Sequence, residues 1–280
     1  MELRITTLSE NTTVARPRGL LGEWGLSVLV EVDNLKVLLD TGQSISAVHN
    51  ADVLGTELPQ IDKIVLSHGH YDHTGGLRQV LSRRKKEVEI IAHPDVWAAK
   101  YGHNPVEKSS IYIGIPFQRE ELESLGAVFK LTDEPVWLSD NVVTSGEIPM
   151  TTDYETIDPG LYVKEGDELR PDPLRDDQAL FIKTPEGLVV ILGCAHRGVI
   201  NTLRHAQKLM EVEPIHTVVG GTHLFRATEV QLELTIAELK ALGIRRLGGS
   251  HCTGMPAAAR LAQEFGQNFF FNNTGTRITF

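Results

Sequence analysis

The sequence predicts a mixed α/β protein in which two β-sheets pack face to face and helices cover their outer surfaces. Three observations predict it. Short apolar runs alternate with helix-spaced stretches, the order of strand pair then helix and strand recurs in both halves, and several strands run straight into glycine and then histidine. A sheet can hide an apolar face only against another layer, so two sheets with helical coats bury every such face. With 280 residues, 41% of them hydrophobic, the chain can fill that core as a single domain over 1–280.

The first half opens on strand-like runs at Leu3 to Leu8, Ser27 to Val32 and Lys36 to Leu39, with Asp33-Asn34 as a hairpin turn between the last two. Asp40-Thr41-Gly42 closes the third strand, and a helix from about Ser44 to Leu54 leads to the apolar strand Ile64-Val65-Leu66. Leu77, Val80 and Leu81 have the spacing of a buried helix face, and Glu87 to Ala92 is strand again. The basic run Arg83-Arg84-Lys85-Lys86 fits a solvated helix C-terminus, where the helix dipole favours cations. From about 93 to 173 the chain turns rich in Pro, Gly, Tyr and charge. Its strand candidates are Ala127 to Leu131, Val136 to Leu138 and Asn141 to Thr144, so an irregular, pocket-shaping excursion is expected there.

Regular alternation resumes with strands Ala179 to Lys183 and Leu188 to Leu192, helix Gly198 to Met210 and strand His216 to Val219. Helix Thr228 to Leu242, strand Arg246 to Leu247, helix Pro256 to Phe265 and a final pair at Phe269 to Phe271 and Thr276 to Phe280 complete the chain. Leu232, Ile236 and Leu239 form an apolar stripe that belongs to the core.

The chemistry concentrates in Ser67-His68-Gly69-His70-Tyr71-Asp72-His73. His68 and His70 leave an extended segment on the same side, because side chains there repeat every second residue. Asp72 and His73 sit on the turn into the next helix. Three imidazoles and a carboxylate on one loop suit a divalent metal: zinc, or alternatively manganese or iron, as one or two ions.

Three further strands end in the same way, in Gly193-Cys194-Ala195-His196, Gly220-Gly221-Thr222-His223 and Gly248-Gly249-Ser250-His251-Cys252. Parallel strands present their carboxyl ends on one edge, so His196 and His251 are expected to join the ligands. His223 is read as a ligand or as a group bonding substrate. Cys194 is read as a thiolate ligand or a small buried hydrophobe, with burial preferred, and Cys252 as packing. Asp40 is expected to orient a metal-bound histidine. Glu147, after another strand, is a further pocket carboxylate, whereas Asp177 and His93 read more simply as turn residues and His103 as a weak candidate.

A net charge of −10 argues against nucleic acid or an anionic membrane as partner and leaves a small-molecule substrate. Two separated cysteines make no disulfide framework, and no signal segment or membrane-spanning run stands out, so a cytoplasmic setting is expected. Oligomeric state is not legible.

His68-Gly69-His70-Tyr71-Asp72-His73 resembles the His-x-His-x-Asp-His signature of the metallo-β-lactamase superfamily, and Leu38-Leu39-Asp40-Thr41-Gly42 resembles its first motif. Gly193-Cys194-Ala195-His196-Arg197-Gly198, Gly220-Gly221-Thr222-His223-Leu224 and Ser250-His251-Cys252-Thr253-Gly254 are similar to a subfamily labelled 7,8-dihydropterin-6-yl-methyl-4-(β-D-ribofuranosyl)aminobenzene 5′-phosphate synthase. The resemblance implies an αββα sandwich and a dinuclear centre. Two departures stand out: Ser145-Gly146-Glu147 occupies the place of a Gly-His pair, and Cys194 that of the bridging Asp. One ion would then fall to His68, His70 and His196, and the other to Asp72, His73 and His251.

A metal-dependent hydrolase acting on a phosphoester or a phosphorylated pterin-like ring is the expected function, with Asp72 orienting the activated water and His223 stabilising an oxyanion. A pterin-pathway transferase or synthase is the first alternative, favoured if Trp24, Trp97, Tyr101 or Tyr154 lines the pocket. A di-iron redox protein ranks lower, because His70 stands where carboxylate-rich iron sites favour Glu.

Overall fold

The structure, a computed structural model, describes residues 1–104, 106–107 and 109–280. The first half runs β1 (Leu3–Ser9), β2 (Ser27–Val32), β3 (Leu35–Leu39), α1 (Ser46–Leu54), β4 (Lys63–Val65), α2 (Tyr71–Thr74), α3 (Leu77–Arg84) and β5 (Val88–Ala92). The middle holds β6 (Ala99–Asn104), β7 (Ser109–Tyr112), α4 (Arg119–Ser124), β8 (Ala127–Leu131), β9 (Trp137–Ser139), β10 (Val142–Thr144), β11 (Leu161–Glu165) and β12 (Glu168–Pro171). The second half follows as β13 (Ala179–Thr184), β14 (Gly187–Leu192), α5 (Val199–Met210), β15 (Ile215–Gly221), α6 (Glu229–Ala241), β16 (Arg246–Ser250), α7 (Met255–Phe265), β17 (Phe269–Phe271) and β18 (Arg277–Thr279).

Two seven-stranded sheets form the body, ordered β18-β1-β2-β3-β4-β5-β8 and β17-β16-β15-β14-β13-β10-β9. In the first, β1, β2 and β3 pair antiparallel and β3, β4, β5 and β8 parallel. The second repeats the logic, with β13 and β14 antiparallel and β14 to β17 parallel. Local chemistry supports the turns: Asp33 takes φ 50° in the β2–β3 hairpin, and Gly55 ends α1 at φ 68°.

The apolar residues divide into three clusters. Ile5, Val30, Val37, Leu39 and Val65 meet Leu180, Ile182, Val189, Ile191 and Val219 between the sheets. Leu77, Val80 and Leu81 of α3 and Ala47 and Ala51 of α1 cover the outer face of the first sheet. Leu203 of α5, Ile236 and Leu239 of α6 and Leu261 of α7 cover the second. Each such buried aliphatic side chain contributes about 1.5–3 kcal/mol, so sequence alternation becomes an αββα sandwich.

The expected strands and helices outside 93–173 are present, with ends shifted by a few residues. Within 93–173 the three expected strands are present as β8, β9 and β10, and 145–160 carries no helix or strand, but the segment is more regular than expected. β12, β11, β6 and β7 form a third, antiparallel sheet, and α4 precedes β8. β12 is exposed along its length, and β11 buries only Val163. Ladder hydrogen bonds between short polar strands hold this sheet, which leaves little apolar alternation to read. Among the described residues no helix is long and apolar enough to cross a membrane.

Candidate metal centre

The carboxyl ends of β3 and β4, parallel in the first sheet, and of β14, β15 and β16, parallel in the second, deliver the polar groups of the site. Four non-glycine residues just past those ends take left-handed backbone: Asp40 (φ 58°), Ala195 (φ 53°), His223 (φ 49°) and His251 (φ 51°). Such conformations cost on the order of 1 kcal/mol or more and collect where function constrains the chain. Gly193 is needed for close approach, since a Cβ there would stand 2.1 Å from Ser67 Oγ.

The structure brings His68, His70, Asp72, His73, His196, His251 and Cys194 together, all buried. His68 Nε2 faces His196 Nε2 at 3.2 Å, and the His70 ring lies 4.9 Å from that of His196. His73 Nε2 faces His251 Nε2 at 3.3 Å, and Asp72 Oδ2 lies 3.3 Å from the same His251 nitrogen. Cys194 Sγ is 3.2 Å from His73 Nε2, and it falls within 4.8 Å of both the His68–His196 and the His73–His251 donors. Two imidazole nitrogens bound to one tetrahedral zinc stand about 3.3 Å apart, from metal–nitrogen distances near 2.0–2.1 Å. The two facing pairs match that spacing, and His70 Nε2 is buried without a hydrogen-bond partner. The donors therefore fit two cations that share the Cys194 sulfur.

Asp40 holds this arrangement from beneath. Its carboxylate accepts the Ser67 amide at 2.7 Å and the Ser67 hydroxyl at 2.6 Å, and lies 2.6 Å from His73 Nδ1. Ser67 Oγ in turn touches His68 Nδ1 at 2.9 Å. Both rings thereby keep their Nε2 atoms for the cavity.

Burial, with the neighbouring imidazoles, pushes His68 and His196 well below the ordinary histidine range. Burial takes His70 down to about 3 despite Asp72. These rings are neutral and ready to donate lone pairs. Burial would also lower His73, but Asp40 and Asp72 lift it to about 9, so a cation must displace its proton. Burial would raise Asp72, yet His73, His251 and His70 hold it below the usual carboxylate range. His223 rises to about 9, burial being outweighed by Asp158 and Cys252. Its Nε2 is 3.9 Å from Asp158 Oδ2, an ion-pair distance too long for a hydrogen bond.

Two supports were invisible in the sequence. Glu10 accepts the His251 amide at 2.8 Å, and Asn11 Oδ1 meets His251 Nδ1 at 3.0 Å, from about 240 positions away. Lys100, 1% exposed, lies 2.9 Å from both Asp172 and Asp176, and Asp176 accepts the Gly69 amide at 2.8 Å between two of the histidines.

Other candidates land elsewhere. Glu147 is corrected: it pairs with Arg197 at 3.3 Å and lines a separate surface depression with Pro149, His205, Lys208 and Leu209. Asp177 is buried, accepts the Arg197 amide at 2.9 Å and is lifted by burial to about 7. His93 caps a 3-10 turn by accepting the Asp95 amide. Of the four aromatic candidates only Trp24 lines the cavity; Trp97 packs on Phe129 and Tyr101 on Tyr112. That cavity, about 180 Å³, has Trp24, Tyr71 and Phe225 at its rim, His103, Ile113 and Leu161 on the third-sheet wall, and both cysteines in its lining.

Residues 25–209 match the Metallo-beta-lactamase superfamily. The chain is 32% identical over 267 residues, 91% of this chain and 90% of the relative, to the 7,8-dihydropterin-6-methyl-4-(beta-D-ribofuranosyl)-aminobenzene-5'-phosphate synthase of Methanocaldococcus jannaschii. An uncharacterized protein of the same organism is 31% identical, with 98% and 99% of the two chains covered. A solved structure described as a metal-dependent hydrolase of the beta-lactamase superfamily superposes with a TM-score of 0.84 at 29% identity, covering 99% of this chain and 98% of the other.

Proposed function

The chain belongs to the metallo-β-lactamase superfamily, and from that membership we propose that it is a metal-dependent hydrolase acting on a phosphorylated small molecule. One observation carries the reading: the pairs His68–His196 and His73–His251 face each other at 3.2 and 3.3 Å with the Cys194 sulfur within reach of both. His68, His70, His196 and Cys194 would hold one cation, and Asp72, His73, His251 and Cys194 the other. Zinc suits this nitrogen- and sulfur-rich set better than manganese or iron. Such cations supply Lewis acidity and lower the pKa of a water from about 15.7 toward about 7.

The remaining work falls to side chains. Asp72, ionised and in contact with His251, orients the attacking water and accepts its proton. His223, protonated beside Asp158 and lining the cavity, donates to the oxygen on which charge develops. Asp40 fixes the tautomer of His73 and, through Ser67, that of His68. Trp24 and Phe225 give the mouth an apolar rim for the organic part of the substrate. His70→Ala should abolish turnover and lower metal content together, read by elemental analysis beside a panel of phosphodiester, phosphomonoester and lactone substrates. Full activity in a metal-depleted His70→Ala protein would end the proposal.

The second reading is a pterin-pathway synthase. It is favoured by the name of the Methanocaldococcus relative, which aligns over nearly its whole length, and by Trp24, whose ring lies 4.9 Å from that of His251. There the centre would activate a phosphorylated leaving group against an amine or carbon nucleophile, with Trp24 as stacking platform. Joined product formed without net hydrolysis would select this reading over the first.

A further inference from the structure

A third donor cluster lies beside the two histidine pairs. Cys194 Sγ, Cys252 Sγ and a His223 ring nitrogen lie within 4.8 Å of one another. Cys194 and Cys252 are 3% and 2% exposed, and Cys252 Sγ makes a weak 3.6 Å contact with the Cys194 carbonyl oxygen. Both ring nitrogens of His223 are sealed from solvent with no hydrogen-bond partner among the described residues. A buried polar atom left unmet costs free energy comparable to a lost hydrogen bond, so such an imidazole calls for a ligand.

The cluster is built by three adjacent parallel strands. Cys194 follows β14, His223 follows β15 and Cys252 follows β16. Gly221, in the middle strand, makes it feasible: a Cβ there would stand 2.5 Å from Cys252 Sγ. The left-handed backbone of His223 then turns the chain two residues after that glycine.

We propose that Cys194, Cys252 and His223 form a third cation position, selective for thiophilic ions such as zinc, cadmium or copper(I), which shares Cys194 with both histidine positions. Two sulfurs and one imidazole form a softer donor set than the histidine-and-carboxylate positions. Two thiolates on one tetrahedral zinc stand about 3.8 Å apart, from metal–sulfur distances near 2.3 Å, which fits within the observed cluster. Loading forms two sulfur–metal bonds and one nitrogen–metal bond; it breaks the Cys194 S–H bond and the N–H bond at the ligating His223 nitrogen and releases those two protons to solvent, while Cys252, held low against burial by Cys194 and His223, enters as thiolate. The fourth coordination direction opens to the cavity that all three residues line. An ion seated there occupies His223, takes its donor from the hydrolytic arrangement and so inhibits it. That inhibition rests on the function proposed above; the binding does not.

The test strips the full-length protein with a chelator and titrates it with cadmium chloride. The wild-type protein should give a cadmium-113 resonance displaced downfield by two sulfur ligands, together with thiolate-to-cadmium absorption. Cys252→Ser should lose that resonance, about half of the absorption and one equivalent of bound cadmium, while keeping the remaining equivalents. Manganese should not displace the two-sulfur signal. A wild-type spectrum without a two-sulfur resonance overturns the position and needs no variant, so a Cys252→Ser protein that fails to fold leaves the test decisive. Unchanged stoichiometry and absorption in a folded Cys252→Ser protein overturns it equally. A two-sulfur cadmium signal with undiminished turnover supports the position and overturns the inhibition alone.

Discussion

Asp40 Oδ2 lies 2.6 Å from His73 Nδ1, and the same carboxylate reaches His68 through the Ser67 hydroxyl. One acidic side chain thus sets the orientation of a histidine in each of the two cation positions. Its left-handed backbone and complete burial show what the fold spends to place it.

Asp40→Asn keeps the shape and removes the charge. Metal affinity should fall about 10–100-fold, the usual cost of losing an outer partner of a ligating histidine. Calorimetric titration with zinc measures it, and an unchanged affinity would show that Asp40 serves folding alone.

The two facing pairs should empty independently. His196→Ala and His251→Ala are each expected to cost one of the two zinc equivalents of the histidine positions, and the double variant both, as read by elemental analysis. Loss of both ions in either single variant would mean one cooperative cluster instead of two positions.

Lys100→Met leaves Asp172 and Asp176 buried without their cation. Removing one partner of a buried ion pair costs about 3–5 kcal/mol, so urea denaturation should show a loss of that order. Because Asp176 also holds the Gly69 amide, metal affinity should drop alongside stability.

The metal-free protein should be sensitive to acid. Burial lowers His70 from 6.5 to about 3, so between those values the unfolded chain binds more protons and stability falls as pH falls. At pH 5 this amounts to about 2 kcal/mol for this histidine. His73 has the opposite sign: raised to about 9, its pairing with Asp40 contributes fully below about pH 6.5 and is lost as pH rises through 9. Denaturant midpoints at pH 5, 7 and 9.5 should therefore peak near neutrality; a midpoint highest at pH 5 would contradict this balance.

The ligand loop was legible because its donors sit within six positions, and the outlying histidines because each follows a strand and a glycine. What escaped had no local pattern. Glu10 and Asn11 meet His251 only after β1 and β16 are folded into different sheets. Lys100 carries no sequence signal until Asp172 and Asp176 close over it. The third sheet escaped because Tyr101 and Tyr162, 61 positions apart, pair through backbone bonds that any residues could make. Cys194 reads as a thiolate ligand or a small buried hydrophobe, with burial preferred, and it is buried; composition cannot tell that its sulfur lies within 4.8 Å of nitrogens from five imidazoles.

That third sheet has a wider consequence. Gly102, His103, Gly160 and Leu161 wall the cavity, yet the donors assembled around the cation positions come from the two large sheets. Part of the cavity wall and the donors thus come from separate stretches, tied through Lys100 and Asp176 and through the Tyr71 amide, which donates to the Ile113 carbonyl at 2.8 Å. Exchanging the wall between relatives is a route to new cargo on the proposed reaction floor, provided that these ties travel with it.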